Sequence, residues 1–208
     1  MLDLDRLSDA AEWIDLSFVE RERTPRPAIK VGIQVHLAGL SLSNTKQILE
    51  ELGVERSRTA IHNWVKKADL RPGLDGTPQE IAIDETAITI DGHRQWLFAA
   101  VDPATNKILH ARLFQARTTE RTLLVLRELQ QDHDLDQVTF LVDSTHSLRS
   151  VLDRLGLGFQ TLRHGNRNSV ERVFREVKRR TSSFSNTFRN AALATAESWL
   201  RAFAVWYN

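Results

Sequence analysis

Cysteine is absent from the 208-residue chain, which excludes disulfide stapling, cysteine-ligated zinc fingers and thiol catalysis together. No apolar run approaches the roughly 18 residues of a membrane span. The opening segment MLDLDRLSDAAEW is acidic and lacks the apolar core of a signal peptide. Serine, histidine and aspartate do not fall into a triad spacing, and no phosphate-binding glycine loop or histidine-rich metal motif occurs. There is no internal repeat and no low-complexity tract. An excess of charge of either sign is missing too, because 28 Lys+Arg stand against 27 Asp+Glu. With 41% hydrophobic and 26% charged residues, the chain can nevertheless bury a substantial core.

The near-neutral total hides an uneven distribution. Residues 1–24 carry seven acids and three bases, a net of −4. Residues 162–190 carry eight bases (Arg163, Arg167, Arg172, Arg175, Lys178, Arg179, Arg180 and Arg189) against Glu171 and Glu176, a net of +6. Steering of an anionic partner depends on the local field, so the second segment is a candidate anion-binding surface as well as a candidate solvated helix face.

Leu4, Leu7, Ala11, Ile14 and Phe18 recur at helical spacing and predict one amphipathic helix over residues 5–21. Pro25 and Pro27 break it, and a second helix is expected over 28–38, ending at Gly39. Ser43 or Asn44 then caps a helix with apolar Ile48, Leu49 and Leu52, closed by Gly53. Ser57 caps the next, whose inner face is Ile61, Trp64, Val65 and Ala68. Its outer face displays Arg58, His62, Asn63, Lys66 and Lys67. Helix, short turn, and helix with a basic outer face is the helix-turn-helix layout, here over about 41–68. Arg58 and Asn63 suit base edges, whereas Lys66 and Lys67 suit phosphates. A plain helical hairpin packed in a core is the competing interpretation.

Two prolines and two glycines between Arg71 and Pro78 mark a linker. Beyond it the pattern becomes strand-like: residues 81–90 and 96–101 form a hairpin turning at Asp91-Gly92, and 108–114 supply a third strand. A helix over 118–132, a buried strand over 138–142, a helix over 147–155, a short strand over 159–162 and a mostly helical stretch over 168–206 complete the order. This predicts an α/β chain: residues 1–71 form an all-α domain with the helix-turn-helix, 72–78 a linker, and 79–208 a ribonuclease-H-like domain. In the last, a mixed five-stranded sheet is flanked by helices.

Two apolar strands finish on a carboxylate, at Asp84 and at Asp143. A rigid strand end is an effective mount for a metal ligand. Glu171 lies at the margin of the helix stripe formed by Val170, Val173, Phe174 and Val177, so it can point toward the sheet edge. Together the three could hold two divalent ions ~4 Å apart for an in-line phosphoryl displacement. Oxygen ligands suit Mg²⁺, with Mn²⁺ as a substitute. Taken singly, each has a plainer account as a strand cap, a turn residue or a surface ion-pair partner. Glu85 competes as a ligand but should face the opposite side of its strand. Asp91 and Asp102 read as turn residues. Arg172, Arg175, Lys178, Arg179 and Arg180 follow Glu171, with Arg175 and Lys178 on its face, and are candidates for holding a phosphate backbone.

The helix-turn-helix segment, Ile83-Asp84-Glu85-Thr86, the run from Trp96 to Asp102, Leu141-Val142-Asp143 and the run from Asn168 to Thr181 together resemble the IS6 family of insertion-sequence transposases, most of all its short haloarchaeal members. The resemblance runs from about residue 25 to the end. It implies a DDE transposase whose catalytic, metal-holding triad falls on Asp84, Asp143 and Glu171. It further implies binding of double-stranded DNA at terminal inverted repeats, Mg²⁺-dependent nicking to free a 3′-hydroxyl, and attack of that hydroxyl on target DNA. A homodimer or larger assembly acting in a prokaryotic cytoplasm at the nucleoid, with no membrane partner, is the corresponding expectation. Three alternatives stay open: a helix-turn-helix regulator, a metal-dependent nuclease without strand transfer, and an inactive transposase copy.

Overall fold

The computed structural model describes residues 4–9, 11–19, 23–68, 70, 78–144, 146–162, 165–183, 188 and 191–208. Residues 72–77 of the expected 72–78 linker, together with Arg163 and Arg189, lie outside them. Four helices come first: α1 (Leu4–Asp9), α2 (Arg26–Ala38), α3 (Leu42–Glu51) and α4 (Arg58–Lys67). Three strands follow, β1 (Glu80–Ile90), β2 (His93–Val101) and β3 (Ile108–Phe114). Then come α5 (Thr119–Asp132), β4 (Thr139–Val142), α6 (His146–Leu155), β5 (Phe159–Thr161), α7 (Asn168–Ser183) and α8 (Leu193–Tyr207).

The five strands form one sheet in the order β3-β2-β1-β4-β5. β1 pairs antiparallel with β2 and parallel with β4, and β5 continues parallel. This is the mixed, helix-flanked, ribonuclease-H-like sheet that the sequence predicts. Asp91 and Gly92 both take positive φ (48° and 75°), the geometry that lets a two-residue turn match the twist of its strands. Asp102 anchors the β2–β3 turn by accepting from the Ala104 amide and the Thr105 hydroxyl.

Alternation along the strands splits the buried side chains into two clusters. Ile81, Ile83, Phe98, Ala100, Phe140 and Val142 pack under α5 and α6. Ala82, Ile88, Leu97, Ala99, Val101 and Leu141 face the other way, onto Val170, Val173 and Val177 of α7 and Trp199 and Phe203 of α8. The same second cluster continues without a break into Ile33, Leu37, Leu49, Ile61 and Trp64 of the N-terminal helices. α2 packs closely on α3 and α4 because residue 32 is glycine: a Cβ there would meet Trp64 at 3.1 Å and Leu49 at 3.3 Å.

Two local expectations are corrected. The first helix does not run from 5 to 21 but stops at Asp9. The Asp15 carboxylate accepts from the Ser17 amide and hydroxyl, a side-chain-closed turn that competes with helical hydrogen bonding, while Ile14 and Leu16 still reach the core. The cap of α3 is Ser41, whose hydroxyl accepts from the Asn44 amide, rather than Ser43 or Asn44. Ser57 caps α4 through the Ala60 amide, as its position suggests.

Candidate active site

β4 is only four residues long, and its ladder with β1 ends at the pair Ala82–Leu141. Asp84 and Asp143 each lie two residues beyond that pair, at the open end where the two strands part. Asp84 alternates onto the α7 face of the sheet, in step with Ala82 and Thr86, and is buried. Glu171, in the first turn of α7, is half exposed. Asp84 lies within the electrostatic reach of both Asp143 and Glu171.

Burial pushes the Asp84 carboxyl up to about 6, and the negative charges of Asp143 and Glu171 push the same way. The Glu85 amide, donating to Asp84 Oδ1 at 2.8 Å, and the Arg167 guanidinium oppose that shift. Arg167, in the short 3-10 turn Gly165–Arg167 that leads into α7, is the residue sequence reasoning did not single out. Its Nη2 donates to Asp84 Oδ2 at 2.5 Å and lies 3.5 Å from Glu171 Oε1, so one cation bridges two carboxylates. The i,i+4 spacing of Arg167 and Glu171 at a helix start was the available signal.

The donor chemistry fits a hard divalent cation: oxygen ligands only, one of them desolvated, with like charges in mutual repulsion that a cation would relieve. As the side chains stand, no three acidic or histidine groups among the described residues converge closely enough to hold one ion, since Arg167 lies between Asp84 and Glu171.

Glu85 faces the other side of β1, as alternation requires, and binds Arg117 at 3.0 Å. Its side chain is 2% exposed, and burial, then the Asp84 charge, raises its carboxyl to about 7. Glu85 Oε2 is buried with no hydrogen-bond partner among the described residues.

The α7 cations divide by their position on the helix. Lys178 reaches β1, donating to the Thr86 hydroxyl at 2.6 Å, on the face of Asp84. Arg175 is exposed, and Arg172 donates to Asn106 of the β2–β3 turn. Arg179 is exposed and pairs with Glu176 at 2.7 Å. Arg180 corrects the expectation of a DNA-facing role: it is buried, bonded to Glu176, with its guanidinium 4.4 Å from the Trp206 ring centroid. It continues the inward stripe of Val170, Val173 and Val177, and α8 covers it.

On α4, Arg58, Asn63, Lys66 and Lys67 are exposed. His62 is half-buried, and desolvation, then the Lys66 charge, lowers its pKa. Arg58, His62 and Lys66 line one wall of a cavity of about 630 Å³ whose far wall includes Thr195, Ser198 and Trp199 of α8. The structure therefore separates the candidate residues into the carboxylate end of the sheet with α7, and the α4 face.

Residues 79–207 match the family model of the IS240-type transposase DDE domain, described as a DDE domain. The uncharacterized protein MJ0017 of Methanocaldococcus jannaschii is 31% identical over 206 residues, covering 95% of each chain. Among solved structures, the chain is similar to the catalytic core domain of BIV integrase, at 17% identity over 60% of this chain and 80% of that one, with a TM-score of 0.42. It is also similar to the HTLV-2 integrase catalytic core domain in complex with magnesium, at 14% identity, 62% and 84% coverage and a TM-score of 0.45.

Proposed function

The chain belongs to the IS240-type DDE transposase family, and from that premise we propose that it is a transposase that binds the terminal inverted repeats of its element, nicks them to free 3′-hydroxyl ends and joins those ends to target DNA. The observation that carries this is the placement of Asp84: a buried carboxylate where β1 and β4 part, under the influence of Asp143 and Glu171. Asp84, Asp143 and Glu171 would hold Mg²⁺, as two ions, with Mn²⁺ able to substitute. Bound there, such ions would supply Lewis acidity for phosphoryl displacement.

The chain's own residues have separable tasks. Arg175, Lys178, Arg172 and Arg179 hold phosphates beside the carboxylates, and the strand ends keep Asp84 and Asp143 fixed while a scissile phosphate is aligned. Arg58 and Asn63 read base edges from α4, with His62 beside them, and Lys66 and Lys67 hold the flanking backbone. The division into residues 1–71, a linker and a catalytic unit over 79–208 follows the same assignment. Two element ends must be brought together, so a homodimer is the smallest working assembly. The chain acts in the cytoplasm at the nucleoid, and it is a short member of the family, of the type met in haloarchaea. Among the described residues no helix is long and apolar enough to cross a membrane.

The test is a duplex carrying the element's own terminal repeat, incubated with the protein and Mg²⁺ or Mn²⁺, scored for 3′-end nicking and strand transfer. Asp84→Asn, Asp143→Asn and Glu171→Gln should each abolish both reactions and leave binding largely intact. Nicking that survives one substitution removes that residue from the triad. Nicking without joining points to a nuclease, and binding with neither reaction points to a regulator or an inactive copy.

A further inference from the structure

The sheet has a second cationic surface, on the face turned away from α7. Trp96 of β2 stands opposite Phe114 of β3 in the sheet register. The Arg94 guanidinium lies over the Trp96 ring, 4.7 Å from its centroid, and Arg117 lies over the same ring at 5.3 Å. Arg121, at the start of α5, lies 5.3 Å from the Phe114 centroid. All three arginines are exposed. Arg117 also holds Glu85, the residue immediately after Asp84, so this group of side chains begins within one residue of the candidate catalytic carboxylate.

A guanidinium stacked on an aromatic ring spends its flat face on the ring and keeps its N–H donors at the edge, directed outward. Stacking also removes much of the rotamer freedom that a surface arginine otherwise loses when it binds. Cations interleaved with aromatic rings are the chemistry that holds a nucleic-acid backbone without reading its sequence. Past Ala82 the edge of β1 is no longer covered by β4. A backbone crossing there would meet Lys178 on one face of β1 and Arg117 on the other.

We propose that Arg94, Arg117 and Arg121, ordered on Trp96 and Phe114, form a second phosphate-binding surface for DNA, opposite the one on α7. The inference rests on the transposase reading for its partner but uses none of the carboxylate chemistry. Either the element's end or the target could supply the phosphodiester backbone, and the experiment separates them.

The full chain is titrated against two labelled duplexes, one carrying the terminal repeat and one of unrelated mixed sequence, over a range of salt concentrations without divalent ions. The Arg94→Gln/Arg117→Gln double variant should bind several-fold more weakly, with a salt slope shallower by about 1.8 for two lost phosphate contacts. Arg121→Gln, which leaves the Glu85 pair intact, should flatten the slope by about 0.9 and serves if the double variant misfolds. Loss on the unrelated duplex alone assigns the surface to target DNA, and loss on the repeat alone assigns it to the element's end. Either result supports the proposal. Unchanged affinity and slope on both duplexes, while Lys66→Ala weakens binding, overturns it and leaves the transposase reading standing. Failure of the wild-type protein to bind either duplex overturns both.

Discussion

Arg167 reaches Asp84 at 2.5 Å with both side chains only about one-tenth exposed. An arginine so enclosed acts as an internal counter-cation: it lets Asp84 persist as a carboxylate beside Asp143 and Glu171. Removing one partner of such a pair leaves a desolvated charge uncompensated.

Arg167→Gln should therefore cost about 2–4 kcal/mol when melted in the presence of a chelator. Mg²⁺ or Mn²⁺ should then raise the melting temperature of Arg167→Gln by more than that of the wild type, because added cation replaces the missing one. Equal melting temperatures for variant and wild type in chelator would show that the pair contributes nothing.

Glu85 makes a prediction in pH. Its carboxyl is raised from the ordinary 4.5 to about 7, chiefly by burial, so the folded chain binds a proton that the unfolded chain has released over that interval. Stability from this group is present at acid pH and falls as pH climbs from about 4.5 to about 7, after which it is flat. Glu85→Gln keeps an acceptor for Arg117 and removes the ionisation. It should lessen the fall in stability over that window, most clearly between about pH 6 and 7, above the interval in which Asp84 contributes its own fall, and leave the protein more stable than wild type at pH 8, read by denaturant melts without divalent ions. A variant with the wild-type pH profile would contradict this.

Arg180 and Arg175 should part company. Arg180→Ala removes a guanidinium buried on Trp206 and takes from Glu176 one of its two arginine partners, Arg179 remaining, at a cost of about 1–3 kcal/mol in stability. Below the variant's melting range, DNA affinity should hardly change. Arg175→Ala should leave stability within about 0.5 kcal/mol and flatten the salt dependence of DNA binding by about 0.9. Paired melts and binding titrations decide it, and the reverse pattern would reassign both residues.

What could be read from the sequence followed from short-range rules. Period-two alternation and the Asp91-Gly92 turn located β1 and β2, and the apolar runs ending at Asp84 and Asp143 located the open end of the sheet. Two of the three corrected expectations, the first helix and Arg180, have different origins. The helix expected over 5–21 failed because Asp15 closes a turn on Ser17, and a hydrophobic period does not register that local competition. Arg180 was counted with the surface cations by charge alone, although its spacing from Val173 and Val177 put it on the inward stripe. For Arg167 the only sequence signal was its i,i+4 spacing from Glu171, and for Arg117 there was none. Their importance comes from meeting Asp84 and Glu85, 83 and 32 positions earlier in the chain, a juxtaposition only the folded sheet creates.

The unbroken core shared by the N-terminal helices, α8 and the α7 face of the sheet works as a ruler. α4 and the carboxylate end pack into the same layer, so under the proposed function the offset between a recognised sequence and the phosphate that is cut would be a property of that packing and not of the length of a tether. Lengthening the segment around residues 71–77 would leave the offset unchanged, whereas repacking Trp199 or Phe203 would shift it.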